Sequence, residues 1–200
     1  MLSKDELEHE LDFSLKGKTA LVTFHPATLE NNTSKRQFQE ILSALNAFKD
    51  LRIIFTRPNS DINGRVLISL IDQYVKKNSA RAIVFSSLGQ LKYLSLMKHA
   101  DVMLGNSSSG IIEMPSFRKP TINIGDRQKG RIAAGSVIQC DPEEGDVRRA
   151  LAKAFSDKFR RACAKVRNPY DKGPTAKRIV AVLKRKLPLV KSLKKAFYDL

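Results

Sequence analysis

The sequence predicts an α/β protein, a Rossmann-like three-layer domain built on a mostly parallel sheet of about six strands. Short apolar runs typical of buried strands alternate with longer segments whose apolar residues recur at helical spacing. Strands separated by helices need crossover connections, which make neighbouring strands parallel and cover both faces of the sheet. The chain has 200 residues, of which 42% are hydrophobic, and this is enough for one good core.

The predicted strands are short runs rich in β-branched and aromatic residues. The first of them is flanked by Gly17 and Pro26, residues that punctuate a strand on either side. The next two are separated by a loop rich in Pro, Asn, Asp and Gly, followed by a helical stretch. The six strands are expected at 18–24, 51–56, 82–85, 102–104, 120–124 and 136–139.

Helices are predicted between these strands from apolar residues three and four positions apart. Residues 32–34 offer caps for the first helix, whose apolar side chains run from Phe38 to Phe48. A later helix carries acids at its start and Lys153 near its end, the distribution that the helix dipole favours. The remaining helices are expected at about 66–74, at 90–99, briefly before Pro115, and at 143–155.

Three segments are expected along the chain: a linker or amino-terminal segment at 1–17, the Rossmann-like domain at 18–186, and a basic tail at 187–200. The acidic start does not suit a signal peptide, and no run of eighteen apolar residues occurs, so a soluble cytoplasmic protein is expected. Cys140 and Cys163 lie in no Cys-x-x-Cys pair and at no metal-binding spacing from a histidine. Reduced thiols and no metal site are therefore expected.

The formal charge of +16 raises nucleic acid or an anionic membrane as partners. Much of the excess lies in 172–195, which holds nine Lys or Arg and no acid. Apolar residues at 179–183 recur near helical spacing, which favours an amphipathic helix packed on its own domain with a solvated basic face. Neither nucleic acid nor a membrane is expected, since 7% aromatic residues without Trp offer few stacking platforms.

Polar segments follow five of the predicted strands, at the carboxyl ends where open parallel sheets bind ligands. The strongest is Gly-Asn-Ser-Ser-Ser-Gly at 105–110, which leads from a strand into a helix and offers backbone N–H groups and hydroxyls to an anion. Ser107 and Ser108 are therefore predicted to hold a diphosphate, with ordinary helix capping as the alternative. The segment is neither a Walker P-loop nor a Gly-x-Gly-x-x-Gly fingerprint.

Glu113 and His25 stand close to such strand ends in the predicted fold. Glu113 follows Ser109 by four residues on the same helical face, where its carboxylate can accept hydrogen bonds from ribose hydroxyls. The alternative is a solvent-facing acid that favours the amino end of its helix. His25 ends the first strand, and because the unperturbed pKa of a histidine side chain is near neutrality it can donate to a departing phosphate, although a lone histidine is more often structural.

Arg127 and Asn59 complete the candidate residues. The planar guanidinium of Arg127 suits phosphate oxygens, with a surface position or a pair with neighbouring Asp126 as the alternative. Asn59 can bond a ligand amide or phosphate, but its Pro-Asn-Ser-Asp setting is also typical of a turn.

These segments in this order resemble the hydrolysing UDP-N-acetylglucosamine 2-epimerases that feed sialic acid and related nonulosonic acid synthesis. The likeness runs from about Leu2 to Lys186 and matches only the carboxy-terminal domain of that family. The matching blocks are 22–26, 57–61, 105–113 and 120–131. The last two of these blocks are the most specific to the family.

The resemblance implies the second half of a glycosyltransferase-B-type fold, with a UDP-sugar in the cleft between two Rossmann-like domains. Members of the family remove the C2 proton, eliminate UDP to give a glycal, and add water to release N-acetylmannosamine, with no nicotinamide and no essential metal. No cofactor is therefore expected. Carried over by motif, His25 is the catalytic residue near the scissile bond, Ser107 and Ser108 hold the diphosphate, Glu113 the ribose, and Asn59 and Arg127 the phosphate or sugar region.

In this family the carboxylates that move protons belong to the first domain, so the chain is expected to bind UDP without turning over a sugar unaided. The expected partners are UDP or a UDP-N-acetylhexosamine, the missing N-terminal domain, and further copies in a homo-oligomer. Two alternatives remain: the UDP-sugar-binding half of a glycosyltransferase, and a basic module for nucleic acid or membranes.

Overall fold

A computed structural model describes residues 1–26, 33–58 and 64–189. Its six strands lie close to the six predicted runs, and each strand pairs in parallel with its neighbours. The predicted parallel α/β sheet is confirmed. The strands are β1 (Thr19–Thr23), β2 (Arg52–Thr56), β3 (Ala82–Phe85), β4 (Val102–Gly105), β5 (Thr121–Ile124) and β6 (Val137–Cys140), in the sheet order β3-β2-β1-β4-β5-β6.

Helices connect successive strands from β1 to β5, whereas β5 and β6 are joined by residues 125–136 without a helix. Short 3-10 turns occupy Met114–Phe117 and Leu187–Leu189. Two helices, near the start of the chain and after residue 156, were not foreseen from the apolar spacing. The helices are α1 (Lys4–Leu11), α2 (Ser34–Asn46), α3 (Gly64–Lys77), α4 (Gly89–His99), α5 (Ser109–Ile112), α6 (Glu144–Phe155), α7 (Asp157–Cys163) and α8 (Thr175–Lys186).

The sheet lies between two layers of helices because the central strands are apolar on both faces. All five residues of β1 are buried. Ala20 and Val22 belong to one hydrophobic cluster, with side chains of α2, α3 and α6, whereas Leu21 belongs to a second cluster with α1 and α4. This alternation is what a strand covered on both faces requires.

Helix α1 lies within the segment expected to be a linker. Ser3 caps it: the Ser3 hydroxyl accepts a 3.3 Å hydrogen bond from the Glu6 amide, and the Glu6 carboxylate accepts a 2.8 Å bond from the Ser3 amide. This reciprocal capping box fixes the start of the helix. Leu7 and Leu11 are buried in the second cluster, where α1 packs against α4.

Residues 1–169 form one compact unit, and residues 170–200 form a second. Within the second unit α8 is the amphipathic helix that the sequence predicts, but none of its residues is buried. Its apolar side chains are Ile179, Val180, Val182 and Leu183, which are 54, 49, 48 and 47% exposed. No helix within 1–26, 33–58 and 64–189 combines the length and apolar character that crossing a membrane requires.

Candidate functional site

The candidate site lies where the direction of the sheet order reverses. The chain runs from β1 to β2 and β3 on one side, and β4 to β6 continue on the other, so β1 and β4 are neighbours with Thr23 beside Gly105. In open α/β sheets this switch point leaves a crevice outside the carboxyl ends of the strands, where ligands bind. The segments that follow β1 and β4 carry His25 and Ser107, which the topology therefore brings side by side.

Gly105 allows the chain to leave β4 directly against the end of β1. Its φ is +137°, and a Cβ placed there would lie 1.9 Å from the carbonyl oxygen of Thr23. No side chain fits in that space, and residues other than glycine rarely adopt such a dihedral. The close approach sets the position of the next four residues, 106–109, which we call the serine turn.

Backbone donors of the serine turn are available to a ligand. Among the described residues, the amides of Ser107 and Ser108 donate no hydrogen bond, and the Ser109 amide makes only a long contact of 3.4 Å with the Ser107 hydroxyl. The helix after the turn is shorter than its motif suggests, since α5 ends at Ile112 and Pro115 lies in the 3-10 turn that follows. The anion-binding capacity therefore rests on the amides and hydroxyls of the turn more than on a long helix dipole.

His25 is tied to the serine turn through its backbone. The His25 amide donates a 2.7 Å hydrogen bond to Oδ1 of Asn106, and Nδ2 of Asn106 donates a 2.8 Å bond to the His25 carbonyl. Asn106 is only 2% exposed. The imidazole of His25 is therefore carried on a segment bonded on both sides to the residue that begins the serine turn.

Arg127 reaches the same turn from the loop after β5. Its Nη1 donates a 3.1 Å hydrogen bond to the carbonyl of Asn106, and Nε2 of Gln128 donates a 2.8 Å bond to the same oxygen. These contacts place a guanidinium beside Ser107, where it adds positive charge to a group of N–H donors.

Glu113 and Tyr93 both lie near the serine turn. Oε2 of Glu113 is buried and has no hydrogen-bond partner among the described residues. Burial raises the pKa of the Tyr93 phenol, the hydroxyls of Ser109, Thr23 and Ser107 counteract that rise, and the Glu113 carboxylate adds to it. A carboxylate oxygen with an unused acceptor capacity, next to a cluster of hydroxyls, suits a ligand that brings its own hydroxyl donors.

Five of the six predicted site residues thus lie at one edge of the sheet: His25, Ser107, Ser108, Glu113 and Arg127. Asn59 lies outside the described residues. Sequence reasoning did not single out Tyr93, Gln128 or the bridging role of Asn106. Asn106 belongs to the Gly-Asn-Ser motif and was within reach of the sequence, whereas Tyr93 sits on α4 with no motif to mark it.

A separate cavity of about 650 Å³ lies by the ends of β5 and β6. It includes Lys129 and Arg149, but neither the serine turn nor Arg127. Four cations line it: Lys129 Nζ lies 3.7 Å from Asp126 and Arg149 pairs with Asp146, whereas Arg131 and Lys153 form no salt bridge among the described residues. The serine turn, with its unused amides, is the better candidate for an anion.

Among the described residues, no group of three or more His, Cys, Asp or Glu is placed to hold a metal ion.

The sheet order and the crevice between β1 and β4 define a Rossmann-like domain, and the fold agrees with solved structures. The Staphylococcus aureus MnaA–UDP co-structure superimposes with a TM-score of 0.67 at 18% identity, over 98% of this chain and 51% of that one. The Neisseria meningitidis UDP-GlcNAc 2-epimerase bound to UDP-GlcNAc gives a TM-score of 0.65 at 18% identity, over 91% of this chain and 48% of that one.

The chain belongs to the UDP-N-acetylglucosamine 2-epimerase family, whose profile matches residues 1–184. The family resemblance is confirmed. A curated relative from Campylobacter jejuni, a GDP/UDP-N,N'-diacetylbacillosamine 2-epimerase (hydrolyzing), is 43% identical over 159 residues, which are 80% of this chain and 41% of the relative. The chain spans about half the length of the relatives that it matches.

Proposed function

We propose that this chain is the UDP-binding, carboxy-terminal half of a hydrolysing 2-epimerase that acts on a UDP-linked N-acetylhexosamine. The observation that carries the proposal is the serine turn, whose Ser107 and Ser108 amides have no partner among the described residues and lie at the switch point of the sheet. Family membership supplies the reaction, and solved relatives at this fold contain UDP or UDP-GlcNAc.

The diphosphate is assigned to the serine turn. Amide and hydroxyl groups of Ser107 and Ser108 donate to its oxygens, and the guanidinium of Arg127 pairs with its charge. In the proposed reaction a base removes the C2 proton, the bond between C1 and the phosphate oxygen breaks, and UDP leaves with the electron pair. Donors fixed beforehand around the leaving oxygens stabilise the charge that develops on them.

His25 is assigned to the departing phosphate of UDP, and Glu113 is assigned to its ribose. The His25 backbone is bonded to Asn106 beside the turn, which supports assigning the imidazole the role of donating to the departing phosphate. Glu113 offers a buried carboxylate oxygen that has no partner among the described residues, and the ribose hydroxyls are suitable donors for it.

The proton chemistry at C2 is assigned to an amino-terminal domain. Relatives of this chain are about twice as long. The proposal therefore gives UDP binding to this half and sugar turnover to the two halves together, with a homo-oligomer as a further expected partner. Free thiols at Cys140 and Cys163 support the proposal of a cytoplasmic, reducing location.

Calorimetry with UDP, UMP and uridine tests the binding. We expect affinity to fall along that series, and the double variant S107A/S108A to weaken UDP binding by about 1–3 kcal/mol while leaving uridine binding unchanged. Ser156→Ala is the matched control, because Ser156 caps α7 and its hydroxyl accepts from the Phe159 amide. Equal UDP affinity in the wild type and the double variant would remove the diphosphate role.

The reaction is tested by adding the amino-terminal half of a relative to this chain and supplying UDP-N-acetylglucosamine. Release of free N-acetylmannosamine and UDP, lost in His25→Ala, supports the epimerase. Release of UDP only when an acceptor is present, with the sugar transferred to that acceptor, would instead identify half of a glycosyltransferase. Because the Campylobacter relative is named for diacetylbacillosamine, a UDP-linked diacetamido sugar is the second substrate to assay.

A further inference from the structure

Asn106 is a buried polar residue whose side chain and backbone carbonyl both form hydrogen bonds with other segments of the site. Its side chain bonds to both the amide and the carbonyl of His25, and its own carbonyl accepts from Arg127 and Gln128. Three segments that are distant in sequence, the ends of β1 and β4 and the loop after β5, therefore meet at one residue. The serine turn begins at that residue.

The side-chain amide of Asn106 takes the place of a neighbouring strand. Beyond β1 the ladder hydrogen bonds of the sheet stop at Thr23, whose carbonyl accepts from the Asn106 amide at 3.2 Å. Two residues further on, the Asn106 side chain supplies one acceptor and one donor to the backbone of His25. The reciprocal bonds also settle which end of the amide is oxygen, because the His25 N–H needs an acceptor and its carbonyl needs a donor.

We propose that Asn106 is a positioning residue, which sets the His25 imidazole against the diphosphate held by the serine turn. The inference rests on the proposed function. It follows from the two bonds to the His25 backbone and from the peptide link between Asn106 and Ser107, which together leave little freedom between the histidine and the turn. A residue that lacked either the donor or the acceptor would hold only one side of the His25 peptide backbone.

A purely structural role makes a different prediction. If Asn106 only stabilised the fold, its loss would lower the unfolding temperature and would weaken UDP binding by disturbing the serine turn. The loss of UDP affinity would then be the same with histidine or alanine at position 25. The matched control is Asn78, whose Nδ2 donates to the Tyr74 carbonyl at 2.9 Å and whose Oδ1 accepts from Arg81. Asn78 uses the same groups, but it lies by the amino end of β3, at the opposite edge of the sheet.

A double-mutant cycle on UDP affinity separates the two roles. We expect Asn106→Ala to weaken UDP binding about tenfold in the wild-type background and less than about twofold in the His25→Ala background, because the imidazole that Asn106 positions is then absent. Asn78→Ala should lower the unfolding temperature and keep UDP affinity within about twofold of the wild type. An equal factor for Asn106→Ala in both backgrounds would overturn the proposal.

Hydrogen exchange on the wild-type chain covers the case in which Asn106→Ala does not fold. The His25 amide should exchange as slowly as the amides of β1, because it is bonded to Asn106 Oδ1. Exchange at the rate of an unstructured amide would overturn the proposal, because the bond from the His25 amide to Asn106 would then be absent. UDP binding by the wild type, and its weakening in S107A/S108A, tests the proposed function separately. If UDP binds as proposed but Asn106→Ala has the same effect in both backgrounds, only the role of Asn106 is overturned.

Discussion

The two edges of the same sheet differ in how many of their buried polar groups have partners. At the amino edge, Arg81 precedes β3 and its guanidinium is fully engaged. Nη2 donates to the Tyr74 hydroxyl at 2.9 Å and to Asn78 at 3.0 Å, and Nη1 donates to the Phe48 carbonyl at 3.1 Å. The Asn46 side chain accepts another bond from it at 3.3 Å. At the amino edge the Ser136 hydroxyl is the exception, since it is buried without a partner among the described residues.

At the carboxyl edge, polar groups are buried without being satisfied. Among the described residues, Oε2 of Glu113, Oδ1 of Asn123 and Oε1 of Gln128 have no partner, and the amides of Ser107 and Ser108 donate to nothing. Burying an unpaired polar group costs about 1–3 kcal/mol, so a fold keeps such groups where a ligand repays the cost. The unpaired groups at the carboxyl edge support the proposed binding of UDP there, whereas the hydrogen bonds of Arg81 at the amino edge contribute to stability.

The largest effect is expected at Gly105. Replacing it with Ala places a Cβ 1.9 Å from the Thr23 carbonyl oxygen and imposes a φ of +137° on a residue with a side chain. We expect the free energy of unfolding to fall by more than about 4 kcal/mol, measured by denaturant titration, because backbone must move against backbone.

Gly89 is the matched control for that change. Its φ is also positive, at +63°, but a Cβ added there meets nothing within 4 Å. Gly89→Ala should cost only the strain of the left-handed conformation, about 1–2 kcal/mol. If the two substitutions cost the same, the close approach of β4 to β1 does not shape the site.

Arg81→Ala tests the amino edge. Removing a guanidinium that makes several hydrogen bonds should lower the free energy of unfolding by about 2 kcal/mol. The dissociation constant for UDP should stay within about twofold, because distant sites act independently. A large loss of UDP affinity in a folded Arg81→Ala protein would show that the two edges are not separate in function.

Glu113→Gln sharpens the account of the carboxyl edge with a smaller effect. If the Glu113 carboxylate accepts from the ribose, the wild type should prefer UDP to 2′-deoxy-UDP by about 1 kcal/mol, and the preference should shrink in the variant. Calorimetry with both nucleotides measures the difference. An undiminished preference in Glu113→Gln would assign the ribose to another residue.

The strands and most helices could be predicted because their apolar spacing is a local property of the sequence. The Val-Thr-Phe and Ile-Val-Phe runs lie at or next to β1 and β3, and the Glu143–Phe155 segment gives α6. Helix α1 was missed although its Ser-x-x-Glu capping box is written at residues 3–6. Leu7 and Leu11 alone are too few apolar residues to show a periodic stripe in this acidic segment.

The site was predictable only as far as strand ends could be found. His25, Ser107 and Arg127 follow strands β1, β4 and β5, so a parallel sheet was enough to place them at one edge. Their connection through Asn106 uses the neighbouring positions of β1 and β4 that a Rossmann sheet has, but the side-chain bonds join segments far apart in sequence, which no local pattern specifies. Tyr93 was missed for the same reason, since only the packing of α4 brings its phenol to the serine turn.

Titration of the ¹⁵N-labelled chain with UDP, followed by backbone NMR, compares both edges in one experiment. Binding of the diphosphate at the serine turn predicts that the amides of Ser107, Ser108 and Ser109 shift most, and that those of Asn78 and Arg81 keep their positions. Saturable shifts centred on the amino edge, or no shifts at millimolar UDP, would contradict it.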